Sequence, residues 1–240
     1  MKILNLIILL AVITVNALAN ILPINGVGTG EVSAQYDNYF TPAGFTFSIW
    51  SIIYLGLLLF TVYQFISKSF KPETISYLFI MNGLANMGWI MAWHYGYFFA
   101  TLILMVVLLI TLVLINLRIN ESGWQVKLPF QIYLGWICVA TVANIAVYLK
   151  YINWSGFGMA EVTWGMLMVL IAGLIGVMLI FRVGWIAAAL AIAWGIWGIY
   201  NKQLAMNRAD TYQMVCLIVI GLMVLSAIIY QIITTRKSLI

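Results

Sequence analysis

Eight apolar runs, each close to the length that crosses a bilayer, follow one another with too little chain between them for a soluble domain. At about 20 residues per crossing, they fall near residues 3–23, 43–67, 75–94, 97–117, 129–149, 160–181, 183–201 and 212–234 of a 240-residue chain. Only 7% of the residues are charged and 65% are hydrophobic. A soluble globular domain carries about 25% charged residues, so lipid rather than water must be the main solvent. The sequence therefore predicts an all-α polytopic membrane bundle of eight transmembrane helices. The third and fourth runs are joined tightly, as are the sixth and seventh.

The cations orient the bundle. Lys2, Lys68, Lys71, Arg118, Lys127, Arg182, Arg236 and Lys237 fall on one side, and Lys150, Lys202 and Arg208 on the other. That asymmetry satisfies the positive-inside rule. With an even number of crossings it puts both termini in the cytoplasm, and we expect a bacterial cytoplasmic membrane. The net charge of +5 is scattered over the connections and forms no basic stripe, so nucleic acid is not a partner. Cys138 and Cys216 lie inside apolar runs as small hydrophobes and make neither a disulfide framework nor a metal site. Lys2, the apolar stretch Ile3 to Ile13 and the triplet Ala17-Leu18-Ala19 also resemble a cleavable signal. Apolar character continues to Leu22 and Pro23, so this segment is read as a span.

The longest outer connection, Asn25 to Thr41, carries Glu31 and Asp37 and no cation. It contains the turn formers Asn25-Gly26 and Gly28-Thr29-Gly30. Its rings, Tyr36, Tyr39 and Phe40, followed by Pro42, predict a lid folded back over the bundle. Trp124, Trp154 and Trp185 stand near run ends, where indoles anchor at the headgroups.

Ionisable groups at membrane depth are costly and mark transport paths; here they are nearly absent. Glu161 lies within a turn of a run's start, and Lys150 and Lys202 end their runs and can snorkel. The single histidine, His94, falls at a tight turn, where a solvated or carbonyl-bonded ring is expected rather than a haem ligand. Neither a catalytic triad nor a metal cluster can be assembled. Aromatic and amide chemistry remains, at spacings that share a helix face. Phe47, Trp50 and Tyr54 align on the second run, Asn86, Trp89 and Trp93 on the third, and Trp136, Ala140 and Asn144 on the fifth. An amide facing hydrocarbon leaves its polar atoms unpaired, so Asn86 and Asn144 must point inward, toward each other, a backbone or a ligand. The same pattern also suits a bundle filled by indoles with amides as interhelical glue.

These residues sit in segments similar to the TspO/MBR family of tryptophan-rich sensory, or translocator, proteins. Phe40-Thr41-Pro42-Ala43-Gly44-Phe45-Thr46-Phe47 followed by Trp50-Ser51-Ile52-Ile53-Tyr54 resembles the family's W-T-P-P segment and W-x-x-x-Y. Leu84-Ala85-Asn86-Met87-Gly88-Trp89 resembles its third-helix signature, with Phe98-Phe99 after it. Pro129, Tyr133-Leu134-Gly135-Trp136, Ala140 and Asn144 resemble its fifth-helix pattern, apart from the gap between Pro129 and Tyr133. Ala43 stands where the family has a second proline, and the segment from there to Trp50 is one residue shorter.

The resemblance covers residues 1–150, a five-helix bundle, and leaves three additional helices in 151–240. It implies a pocket under the lid that binds porphyrins or other flat apolar ligands, with no cofactor required. It also implies that Trp50 and Trp136 line the pocket and take part in light- and oxygen-dependent porphyrin breakdown. Val142, Tyr148 and Lys150 resemble the family's sterol-recognition pattern. Binding is the primary expectation, for sensing, transport or regulation. The rivals are a transporter of a neutral lipophilic solute and a structural partner protein. In the last case Ala172, Gly173 and Gly176 would supply a close-packing face for an oligomer.

Overall fold

The computed structural model describes residues 1–22, 24–67, 70–120 and 122–237. Pro23 at the end of the first run and the inner-side Lys68 lie outside the described residues, as does the side chain of Lys237. The described residues form nine α-helices and no strand: α1 (Lys2–Ile21), α2 (Thr29–Gln35), α3 (Ile49–Ile66), α4 (Ser76–His94), α5 (Phe98–Arg118), α6 (Trp124–Tyr151), α7 (Glu161–Val183), α8 (Ile186–Ala205) and α9 (Asp210–Lys237). The eight long ones coincide with the eight apolar runs.

Two local features depart from the expected boundaries. α6 starts at Trp124 rather than at Pro129. Proline early in a helix forfeits one backbone hydrogen bond, and here its ring packs against Gly56 of α3, where an added Cβ would lie 3.2 Å from the Pro129 Cβ. The second is α2, which forms where the sequence suggested only turns. Its first turn is closed by the Glu31 carboxylate, whose Oε2 accepts from the Gly28 N–H at 2.8 Å, satisfying a donor that the helix start leaves open.

Helices α1, α3, α6, α5 and α4 close a ring in which each packs on the next. α8 lies against the outside of α6, and α7, α8 and α9 pack on one another. Glycine sets these distances. A Cβ on Gly135 of α6 would run into the Ala188 carbonyl oxygen of α8, and one on Gly195 would lie 2.8 Å from the Val139 methyls. Small residues let helix backbones approach this closely in lipid. Gly173 and Gly176 do the same within the chain, against Val219 and Met223 of α9, and Ala172 is buried. This stripe packs α7 on α9 within the chain.

Among the described residues six helices are long and apolar enough to cross a membrane by themselves: α1, α3 with the turn before it, α5, α6, α7 and α9. α4 and α8 are the exceptions, because each turns a larger share of its surface to neighbouring helices and carries more polar or small residues there. α4 buries Asn82, Asn86 and His94, and α8 is covered on α6, α7 and α9. Lipid-facing rows such as Ile103, Val106 and Ile110 on α5 and Ile218, Leu222 and Leu225 on α9 are exposed, as a bilayer-solvated surface requires. Trp124 is 69% exposed, as an interfacial anchor should be, but Trp185 is 3% exposed. The tight turn at Gly184, with φ of 70°, turns Trp185 inward, where its indole N–H donates to Asn120 Oδ1 at 3.2 Å.

Candidate functional site

The interior face of α4 is the spine of the site. Asn86 is fully buried and ties three helices together: its Oδ1 accepts from Asn16 Nδ2 at 2.7 Å and its Nδ2 donates to the Tyr133 hydroxyl at 2.9 Å. One turn on, the Trp89 indole N–H donates to Asn144 Oδ1 at 3.1 Å, and Asn144 Nδ2 donates to the Ala140 carbonyl at 2.8 Å. Both amides thus point inward, each to its own partners rather than to each other.

Above this network four indoles gather. Trp50 stacks on Tyr54 at 5.4 Å and meets Tyr133 and Trp136 edge-on at 5.6 and 6.3 Å. Phe47, in the 3-10 turn before α3, meets Trp136 at 5.9 Å, and Trp89 stacks on Trp93 at 5.6 Å. Phe47, Trp50, Trp89, Trp93, Trp136, Ala140 and Asn144 line one cavity under Pro42, with a volume of about 30 Å³. Beyond Trp50 and Trp89 lies a cleft of about 490 Å³ between α1, α3 and α4. Thr29, Phe47, Trp50 and Trp89 border both spaces. Tyr54 faces the cleft and a deeper void that Asn86 and Tyr133 also line. The Trp136 Nε1 is buried and donates to no atom among the described residues. A lone buried donor is costly and is normally paired, so this atom can receive an acceptor from outside the chain.

The lid is fastened at both ends. On the α2 side, the Trp93 indole N–H donates to the Thr29 carbonyl at 3.1 Å. The buried His94 ring lies 2.9 Å from Thr29 Oγ1 and 3.2 Å from the Ile24 carbonyl, which fits the carbonyl-bonded expectation for this residue. On the other side the anchor comes from the C-terminal helices. Asp37 pairs with Arg208 at 2.5 Å and with Lys202 at 3.5 Å, and the Arg208 guanidinium lies 4.8 Å over the Tyr39 ring. The Tyr39 carbonyl accepts from the Tyr212 hydroxyl at 2.7 Å and Gln203 Nε2 at 3.1 Å. Further along, the Ala43 N–H donates to the Gly198 carbonyl and the Trp194 N–H to the Thr46 carbonyl, each at 3.0 Å. Tyr36 packs on Phe98 at 4.9 Å, and Phe40 is fully buried.

The residues of the sterol-type pattern are not brought together. Val142 is half-buried, Tyr148 lies 6.0 Å from the Phe99 ring, and Lys150 pairs with Glu161 at 3.2 Å. Glu161 is thus a half-exposed ion-pair partner at the membrane edge. Lys150, Lys202 and Arg208, the three cations of the lid side, each have an acidic partner.

Sequence reading missed Asn16 and Tyr133 as members of the amide network, and Thr29, Ser33, Thr41, Val139, Ala143 and Val147 as cavity walls. Asn16 carried the same signal as Asn86, an amide inside an apolar run. The small aliphatic walls carried none, because their types are ordinary in any membrane helix.

No curated protein and no solved structure matches the chain. The profile of the TSPO-like proteins matches residues 2–229. The match begins in α1 and continues through α7, α8 and most of α9, well past the stretch on which the tryptophan and asparagine motifs lie. With six helices individually able to cross a bilayer, this makes the chain an integral multi-pass membrane protein, and it belongs to the TSPO-like protein family.

Proposed function

We propose that the protein binds a flat apolar ligand of the porphyrin class at the four-indole site and serves as a sensor or handler of such molecules. The observation that carries this reading is the lidded cluster of Trp50, Trp89, Trp93 and Trp136, with the indole N–H of Trp136 unpartnered. Indole faces stack on planar rings, and one or two polar atoms suffice to orient a ligand in an apolar pocket. The enclosed cavity of about 30 Å³ is far below the roughly 300–1,000 Å³ of ligand sites. The adjoining cleft of about 490 Å³ falls within that range. The macrocycle therefore lies in the cleft against Trp50 and Trp89, with one edge reaching toward Trp136. Binding does not require breakdown of the ligand at Trp50 or Trp136.

The charge asymmetry supports a membrane orientation with both termini in the cytoplasm. The lid then faces outward.

Titration of the purified protein with protoporphyrin, followed by tryptophan quenching, tests the site. Wild type should bind, and the double variant Trp50→Phe, Trp136→Phe should bind about tenfold more weakly. Absence of binding by wild type, or equal binding by both proteins, rejects the assignment.

A further inference from the structure

A second cavity, of about 210 Å³, opens between the lid, the end of α6 and the start of α7. It exists because α8 rather than α7 packs along α6, so the α6–α7 connection must bridge a gap. The floor is apolar, with Phe40 from the lid and Met168 from α7. Trp154 and Trp164 form its sides, and Lys150 and Glu161 stand among the lining groups. We propose that this cavity seats the headgroup of a zwitterionic phospholipid from the lid-side leaflet.

The charges select that headgroup. Lys150 Nζ and Glu161 Oε1 lie 3.2 Å apart and each side chain is 48% exposed, so both remain open to an incoming ion. A phosphate can share the lysine while an ammonium shares the carboxylate. An anionic headgroup gains the lysine but meets the carboxylate, and a cation alone meets the reverse conflict. The rings supply the ammonium with further attraction. Trp154 lies 5.0 Å from Trp164 and 5.2 Å from Phe157, and indole faces are the strongest aromatic partners of a cation.

The connection is shaped to hold those rings at headgroup level. Gly156, Phe157 and Gly158 have φ of 65°, 53° and 76°. For Phe157 that left-handed conformation is strained. The turn is closed by the Trp164 indole N–H, which donates to the Gly156 carbonyl at 2.8 Å. The Phe157 ring is left 81% exposed, where the acyl boundary would cover it. The apolar floor accepts the first segments of a chain below the headgroup. This inference is independent of the porphyrin site, since the cavity shares no lining residue with the indole cavity or the adjoining cleft.

Native mass spectrometry of the full-length protein tests the proposal, after equilibration in mild detergent with equal amounts of palmitoyl-oleoyl phosphatidylethanolamine and phosphatidylglycerol. Wild type should retain one phosphatidylethanolamine with about tenfold preference. Glu161→Lys should invert the preference toward phosphatidylglycerol, and Lys150→Glu combined with Glu161→Lys should restore it. The pair is half-exposed, so these changes leave the core untouched. Equal retention of the two lipids by wild type, or a preference unchanged in Glu161→Lys, overturns the proposal. A second readout needs no charge variant: brominated phosphatidylethanolamine should quench wild-type tryptophan emission more than that of the double variant Trp154→Phe, Trp164→Phe. Equal quenching of the two proteins also overturns it.

Discussion

The five helices of the ring and the three that follow are held by different physics. In the ring, amides and hydroxyls join helices: Asn5 of α1 donates to Gln64 of α3 and Ser76 of α4, Asn82 to Thr111 of α5, Asn86 to Tyr133, and Trp89 to Asn144. In α7–α9 the contacts are made by glycine and alanine against aliphatic side chains, as at Gly173 and Val219 or Gly176 and Met223. The ring helices are joined to one another by directional bonds, whereas α7, α8 and α9 meet by close packing. Hydrogen bonds fix the rotation of each helix about its axis, which a binding site needs. Close packing fixes distance and is enough for a buttress.

The contrast can be broken by exchanging the two kinds of perturbation. The largest effect should come from Gly135→Leu, whose side chain would push against the Ala188 backbone and the Ala191 Cβ. We expect a loss of about 3 kcal/mol or more, read as a fall in the midpoint of unfolding by sodium dodecyl sulfate. Gly221, with open space around it, is the control, and Gly221→Leu should leave that midpoint unchanged. Asn86→Leu comes next. It removes the side-chain acceptor of Asn16 Nδ2 and the donor to the Tyr133 hydroxyl, at a cost of about 1–2 kcal/mol. If Asn86→Leu proves more damaging than Gly135→Leu, packing is not what joins the two regions.

Smaller effects sharpen the comparison at the lid, the one place where both regions meet. Arg208→Gln removes a half-buried ion pair with Asp37 and should cost about 1 kcal/mol or less. Its clearer signature is kinetic: protoporphyrin should dissociate faster from Arg208→Gln, and added salt should speed release from wild type more than from the variant. Lys150→Gln, at an exposed pair, should change the unfolding midpoint by less than about 0.5 kcal/mol.

Much of this was legible from the chain alone. The eight runs gave eight long helices because a bilayer demands length and apolarity from each crossing. Trp50, Trp89 and Trp136 met because three- and four-residue spacings fix a helix face, and hydrocarbon forced Asn86 and Asn144 inward. The partners of those amides were not legible, since spacing within one helix carries no information on the rotation of its neighbour. Nor was the inward turn of Trp185, which depends on the left-handed Gly184. The role of Lys202 and Arg208 was hidden for a related reason. As lid-side cations they counted only toward orientation, while their pairing with Asp37 spans more than half the chain.

That long-range pairing sets an order of biogenesis. A nascent chain that has released α6 already holds Trp50, Trp89, Trp93 and Trp136 together with the amides beneath them. The stretch from Asp37 to Thr46, however, finds its partners only when Trp194, Gly198, Arg208 and Tyr212 have left the ribosome. Until then the lid is tethered at the α2 end alone, and the site stays open on the side where α8 will dock. The pocket thus closes only once α8 and the start of α9 have been made.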